Sequence, residues 1–274
     1  MKLLFGTAGI PIATQPRNTA NGIECVRKLG LDAMEMEFVH SVNVSAANAP
    51  LVRKASERNK VRLTCHGQYY INLNSEEKGD ASRQRVINAA RISWLCGGWS
   101  VCFHAGYYMG QHADSAYERV KRHISQITRT LRDEGNEIWI RPEVSGKPTQ
   151  FGSLEEIIRL SEEVGGVMPC IDFSHLHART NGKYNTRVEF DSVLALVEKH
   201  LGKSGLQNMH IHLSGIAYGP KGEKNHLTLK ESDMNYKELA AAWKEFKTGG
   251  VVVSESPNIE GDALMLKGLY GSLK

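Results

Sequence analysis

Residues 167–177 read V-M-P-C-I-D-F-S-H-L-H, an apolar run that ends in an acid and an imidazole. Asp172 and His175 lie three residues apart, where a buried strand is expected to give way to a loop. Such a pair is typical of a metal site or a proton-transfer site, although a buried Asp–His hydrogen bond is also a common structural feature. An apolar run followed by His, Glu or Asp recurs along the chain, and this recurrence indicates the fold.

Eight apolar runs of strand length follow one another, with helical periodicity between them. They span residues 3–9, 33–39, 61–67, 100–106, 137–144, 167–175, 209–215 and 250–256. Strand and helix alternating eight times is the sequence form of a closed barrel. An open doubly wound sheet is the alternative, but Gly6-Thr7-Ala8-Gly9 lacks the third glycine of a dinucleotide-binding turn. We therefore predict an α/β protein whose residues 1–274 form a single (β/α)8 TIM barrel.

The composition is that of an ordinary soluble globular protein. Hydrophobic residues make up 41% of the 274 residues and charged residues 23%, and the net charge of +4 permits a polyanionic partner without arguing for one. Five cysteines form no C-x-x-C pair, so they indicate small buried side chains in a reducing compartment. The N-terminal apolar run is too short for a signal peptide, and no window has the length of a membrane span. We predict a cytoplasmic monomer with no membrane partner.

The chemistry of a TIM barrel lies at the carboxyl ends of its strands, so the residues that end each run are informative. The third to eighth runs all end in an imidazole or a carboxylate, namely His66, His104, Glu143, Asp172 with His175, His212 and Glu255. Imidazole nitrogens and carboxylate oxygens without sulfur suit Zn, Mn or Fe, and bridging carboxylates suit more than one ion. Such a cluster can polarise a phosphoryl or carbonyl oxygen and acidify a water. His210 lies one pleat below His212 and is expected to support the site or belong to the core.

Several motifs, taken in order, resemble the endonuclease IV family of apurinic/apyrimidinic endonucleases. They are C-H-G-Q-Y-Y-I-N-L, F-H-A-G, P-E, C-I-D-F-S-H, H-L-S-G, N-H-L and S-E-S-P-N, from the third strand to the eighth. The resemblance implies a (β/α)8 barrel with a trinuclear zinc cluster that cleaves the phosphodiester bond 5′ of an abasic site. It implies Zn2+ as cofactor, with two or three ions and Mn2+ as the alternative, and DNA containing abasic sites as partner.

The resemblance also assigns roles by motif. His66 and His104 would bind one zinc, Glu143 would bridge it to a second zinc held by Asp172, His212 and Glu255, and His175 and His226 would bind the third. Glu143 and Glu255 are the expected catalytic residues, Glu143 holding the attacking water and Glu255 positioning the cluster and accepting the proton.

Contacts with DNA are expected from the loops of the same rim. Tyr69 falls where the family places a tyrosine that enters the DNA at the abasic position, and Tyr70 falls where it places an apolar wedge; ordinary anchoring of the loop is the alternative. Basic side chains that follow the fifth, sixth and seventh strands are candidate phosphate contacts or, alternatively, solvated loop residues: Lys147, Arg179, Lys221 and Lys224.

One departure from the family pattern concerns the third zinc. The family has Asp, one residue and then His, whereas this chain has Lys224-Asn225-His226. A protonated lysine cannot ligate and repels a dication. Either Glu223 substitutes through a shifted loop, or the site holds only one or two ions.

Two other functions are compatible with part of the pattern. Xylose-isomerase-like sugar isomerases and epimerases resemble this chain in a smaller set of Glu, Asp, His and Glu on one divalent ion, which Glu143, Asp172, His212 and Glu255 would satisfy. In that case the two glutamates would relay a proton beside a metal-bound ketose. A non-catalytic barrel that binds damaged DNA or a sugar is the third hypothesis. The additional histidines favour the nuclease, since one ion leaves them unexplained.

Overall fold

The structure is a computed structural model that describes residues 2–273. The strands in this range are β1 (Leu3–Ala8), β2 (Ala33–Glu37), β3 (Arg62–His66), β4 (Ser100–Phe103), β5 (Gly106–Tyr107), β6 (Trp139–Pro142), β7 (Gln150–Phe151), β8 (Cys170–Asp172), β9 (Met209–Leu213), β10 (Gly215–Gly219), β11 (Gly222–Leu227) and β12 (Gly250–Ser254). The helices are α1 (Thr19–Lys28), α2 (Ala49–Asn59), α3 (Gly79–Leu95), α4 (Ala113–Asp133), α5 (Leu154–Glu163), α6 (Phe173–Arg179), α7 (Arg187–Leu206), α8 (Tyr236–Glu245) and α9 (Glu260–Ser272).

Eight of the strands form one parallel sheet in the order β6-β4-β3-β2-β1-β12-β9-β8. Parallel bridges between Ile140 and Val167 and between Glu143 and Cys170 join the two ends of this sheet. The sheet is therefore closed into the predicted TIM barrel, and each of the eight predicted runs contains one of its strands. No helix in residues 2–273 is long and apolar enough to cross a membrane.

Burial and local capping explain why these segments form their elements. The strand β12 is a run of three valines that is buried throughout, as expected for a parallel strand covered on both faces. The helix α5 begins with the capping box that the sequence contains, because Ser153 accepts from the Glu156 N–H and Glu156 accepts from the Ser153 N–H. Arg141, fully buried in β6, donates to the carbonyls of Pro169 and Asn208.

The sixth predicted run is longer than the strand it contains. The strand β8 ends at Asp172, and α6 starts at Phe173 instead of a loop. Its start is stabilised by the Asp172 carboxylate, whose Oδ1 accepts from the His175 N–H at 2.7 Å. This cap places His175 on the first turn of a helix and leaves the second oxygen of Asp172 free to face the barrel mouth.

Candidate metal centre

Nine ionisable side chains converge at the carboxyl ends of the barrel strands. They are His66, His104, Glu143, Asp172, His175, His212, Glu223, His226 and Glu255, and their donor atoms form three groups in which all atoms lie within 4.8 Å of one another. The groups are His66 with His104 and Glu143; Glu143 with Asp172, His212 and Glu255; and His175 with Glu223 and His226. All eight residues proposed as metal ligands from the sequence lie in this cluster.

Glu143 stands at the centre of the cluster and is fully buried. Its Oε2 lies 3.2 Å from His66 Nε2 and 3.7 Å from His104 Nε2. Its Oε1 lies 3.2 Å from both His212 Nδ1 and His175 Nδ1. The two oxygens of one carboxylate therefore face different imidazoles, which is the arrangement that bridging between two ions requires.

Three carboxylate oxygens of the second group fit cations. Asp172 Oδ2 and Glu255 Oε2 are buried and accept no hydrogen bond from the described residues, and Glu143 Oε2 has only the imidazoles of His66 and His104 beside it. Burying these carboxylates together is unfavourable, since burial and the charges of Glu143 and Asp172 raise the pKa of Glu255 well above 4.5. A divalent cation among these oxygens would offset that cost, so the donor set fits a metal better than it fits a purely hydrogen-bonded core.

The third group adds two imidazoles and Glu223. The Nε2 atoms of His175 and His226 are 3.4 Å apart, close to the separation of about 3.3 Å between two nitrogens on a tetrahedral zinc. The Glu223 carboxylate lies 3.7 Å from His175 Nε2 and 3.8 Å from His226 Nε2. His226 Nδ1 lies 3.2 Å from the Glu255 carbonyl, and His175 Nδ1 lies 3.1 Å from the Val144 carbonyl. When each Nδ1 donates to its carbonyl, both Nε2 lone pairs are free for an ion.

A β-bulge explains how Glu223 reaches this group although the sequence places Lys224 at the family position. In the hairpin of β10 and β11, Ala217 pairs with Asn225 and Tyr218 pairs with Glu223, so Lys224 is the extra residue. Lys224 is exposed, whereas the side chain of Glu223 is 22% exposed and faces His175. The hairpin therefore presents Glu223 and His226 together and turns the lysine out of the cluster.

A glycine provides the space behind this carboxylate. The Gly146 carbonyl accepts from the Glu223 N–H at 2.9 Å. A Cβ at Gly146 would lie 2.7 Å from Glu223 Oε2 and 3.0 Å from His175 Cδ2. The loop after β6 can approach the third group this closely only because residue 146 has no side chain.

Electrostatics at the cluster are dominated by the carboxylates. Burial lowers the pKa of His66, but the hydrogen bond and charge of Glu143 outweigh it and raise that pKa to about 10. Burial also opposes ionisation of Glu143, yet His104 and His212 hold its pKa well below 4.5. His104 differs, since burial lowers its pKa to about 4. The negative potential that would retain protons on His66 would equally attract divalent cations.

Two glutamates of β2, the buried Glu35 and the half-buried Glu37, were not assigned to the site from the sequence. Glu35 is fully buried, and its oxygens lie 2.9 Å from His212 Nε2 and 3.1 Å from His210 Nε2. Burial, reinforced by the charge of Glu35, raises the pKa of Glu37 to about 7. The signal for both was the alternation of Glu with Met in 33–37, because a strand of a closed barrel turns alternate side chains into the interior.

The residues predicted to contact DNA lie in the loops after β3 and β6, at the end of α6 and in the hairpin of β10 and β11. Tyr69 and Tyr70 are 57% and 61% exposed, and the Tyr69 ring packs edge-on against His66 with centroids 5.9 Å apart. The side chains of Lys147, Lys221 and Lys224 are exposed. Arg179 is half-buried and donates to the carbonyls of Ser145, Lys147 and Gln150. Its guanidinium therefore holds the loop that carries Lys147, and a phosphate contact by Arg179 stays a prediction.

Comparison with known proteins identifies relatives of this chain. The chain is 41% identical over 273 residues to an uncharacterised protein of Methanocaldococcus jannaschii, covering 99% of this chain and 98% of that one. It is 26% identical over 210 residues to the protein of Bacillus mycoides named "Probable endonuclease 4", covering 73% of this chain and 66% of that protein.

Solved structures share the fold at low sequence identity. Endonuclease IV from Thermus thermophilus matches with a TM-score of 0.75 at 18% identity, covering 97% of this chain and all of that one. A D-tagatose 3-epimerase-like protein matches with a TM-score of 0.73 at 18% identity, covering 99% and 96%. The family described as "Xylose isomerase-like TIM barrel" matches residues 23–269. The chain belongs to the xylose isomerase-like TIM barrel family.

Proposed function

We propose that this protein is a zinc-dependent phosphodiesterase that incises DNA at abasic sites. The observation that carries the proposal is the third donor group, His175 with Glu223 and His226. A single-ion isomerase uses one Glu, Asp, His and Glu set and has no use for these three residues, nor for His66 and His104. Sequence similarity to the Bacillus relative supports the same choice.

The residues of the cluster would have different roles in phosphodiester hydrolysis. Ions held by the three groups would acidify a water and neutralise the charge of the phosphate. Glu143, facing four imidazoles, orients the attacking water toward phosphorus. Glu255 Oε2, which accepts no hydrogen bond from the described residues, takes the proton of that water as the bond from phosphorus to the 3′ oxygen breaks.

The surrounding loops are proposed to hold the substrate. Lys147, Lys221 and Lys224 would contact backbone phosphates, and the electrostatic part of that affinity would depend on salt. Both tyrosine rings are exposed; Tyr69, beside His66, would enter the DNA at the abasic position, and Tyr70 would act as the apolar wedge.

A sugar isomerase or epimerase with one divalent ion is the second candidate. It is favoured by one observation: Glu143, Asp172, His212 and Glu255 alone form a complete donor set, with all four atoms within 4.8 Å. In this case the two glutamates would move a proton on a bound ketose.

The test combines metal analysis with the two assays. We expect at least two zincs per chain and nicking of a duplex that contains one abasic site, with no epimerisation of ketoses. His226→Gln should lose one zinc and most of the nicking activity, whereas His200→Gln on the outer helix α7 should change neither. One ion per chain, ketose epimerisation and a His226→Gln variant of unchanged activity would establish the second candidate instead.

A further inference from the structure

A second set of potential metal ligands lies beneath the rim cluster, in the barrel interior. Cys102, Cys170, His210 and His212 are all fully buried, and their four donor atoms lie within 4.8 Å of one another. They come from β4, β8 and β9, and Glu35 of β2 stands beside the two imidazoles. The proposed hydrolysis uses neither thiol, and an interior built only for packing would not need five polar side chains together.

His212 connects this interior set to the rim. Its Nδ1 lies 3.2 Å from Glu143 Oε1 and 3.4 Å from Glu255 Oε1. Its Nε2 points the other way and lies 3.7 Å from Cys102 Sγ. Sulfur and nitrogen on one tetrahedral zinc are about 3.5 Å apart, given bonds of about 2.3 Å and 2.0 Å. The separation of Cys102 from His212 thus suits two ligands of a common ion.

The Cys102 thiol donates to Glu35 Oε2 and to the Cys65 carbonyl, each at 3.4 Å, but other short contacts in this set are not well-formed hydrogen bonds. His210 Nε2 lies 3.1 Å from Glu35 Oε2, and His212 Nε2 lies 2.9 Å from Glu35 Oε1. Nevertheless, His210 Nε2 and Glu35 Oε1 have no hydrogen-bond partner among the described residues, while His210 Nδ1 lies 3.2 Å from Ser100 Oγ. His210 Nε2, buried and without a directed hydrogen bond, keeps its lone pair for an ion when Nδ1 carries the ring proton.

We propose that Cys102, Cys170, His210 and His212 form a closed interior site for a Zn2+ ion that is distinct from the rim ions and shares His212 with them. Two sulfurs and two nitrogens in a four-coordinate arrangement are a standard zinc donor set. Binding releases the thiol protons of both cysteines, and the Nε2 proton of His212 when that ring ligates on both sides. The two thiolates balance the charge of the interior ion, which fixes the orientation of His212 from below.

Cobalt substitution of the intact protein tests the site without any variant. None of the rim donors carries sulfur, so a thiolate-to-cobalt charge-transfer band in the near ultraviolet can arise only from a cysteine site. We expect that band in the Co2+ protein. Its absence, with only the weaker visible bands of nitrogen and oxygen ligation, would overturn the proposal.

Serine variants of the two cysteines test whether the interior ion binds at Cys102 and Cys170. Cys102→Ser and Cys170→Ser should each abolish the charge-transfer band and lower zinc content by one equivalent, with the rim zincs retained. The matched control is Cys96→Ser, because Cys96 is equally buried but lies at the end of α3, outside the set. A folded Cys102→Ser protein that keeps both the band and the full zinc content would refute the assignment. If that variant does not fold, the spectrum of the unaltered protein still decides.

Discussion

Exchanging two neighbouring residues, in the variant Glu223→Lys/Lys224→Glu, tests the register of the β10–β11 hairpin while preserving composition and net charge. In the observed register the exchange places an ammonium beside His175 and His226 and sends the carboxylate to the exposed bulge position. Removing a residue that only hydrogen-bonds to a metal ligand lowers the metal affinity about 10–100-fold. Removing Glu223, which would contact the ion directly, should therefore lower the affinity at least about 100-fold, or about 2.7 kcal/mol. Repulsion between the ammonium and the ion adds to this value.

The assay is zinc per chain after gel filtration, with deletion of Lys224 as the paired variant. The deletion removes the bulge residue but leaves Tyr218 opposite Glu223 and Ala217 opposite Asn225, so it should keep all the zinc. The exchange variant should lose one zinc and retain the ions held by Glu143. Retention of every zinc by the exchange variant, or loss of one by the deletion, would refute the register argument.

Three further outcomes are expected. Lys224→Ala should keep its zinc but weaken binding to abasic DNA, and it should reduce the slope of log affinity against log salt by about 0.9 if the lysine contacts one phosphate; an unchanged slope would contradict that contact. Arg179→Ala should lower the free energy of unfolding in urea by about 2–3 kcal/mol, because three loop carbonyls lose a charged donor, and Arg179→Lys should not restore it. Glu163→Gln should destabilise the protein by about 0.5–1 kcal/mol at pH 7. The Arg159 hydrogen bond holds the pKa of Glu163 at about 2, so this difference should vanish as the pH falls from about 4.5 to about 2 in thermal unfolding; a constant difference would contradict it.

The barrel was predictable because its strands are buried on both faces and therefore appear as mainly apolar runs. The end of strand β8 at Asp172 was not predictable, because the helix that follows starts with the Asp172 side chain capping the His175 N–H. The cap depends on the position of one side chain, and the periodicity of apolar residues along the sequence contains no information about that position. The small two-stranded sheets of β5 with β7 and of β10 with β11 are too short to produce a periodic signal.

Those residues of the candidate site that lie at the ends of apolar runs could be predicted from the sequence. Glu223 could be named only as one alternative, because strand register depends on pairing across the hairpin and a single extra residue changes which side chains share a face. Glu35 and Glu37 could not be assigned from the sequence, since alternation alone does not say which polar side chains meet histidines from other strands.

The bulge at Lys224 also bears on how such sites tolerate length changes during evolution. A residue can be inserted between two ligands without abolishing the site, provided that the strand absorbs it as a bulge and the partner strand keeps its pairing. Search patterns that demand a fixed number of residues between carboxylate and histidine would reject this chain, although its donors meet in space. Ligand motifs on hairpins are therefore better described by cross-strand partner than by interval along the chain.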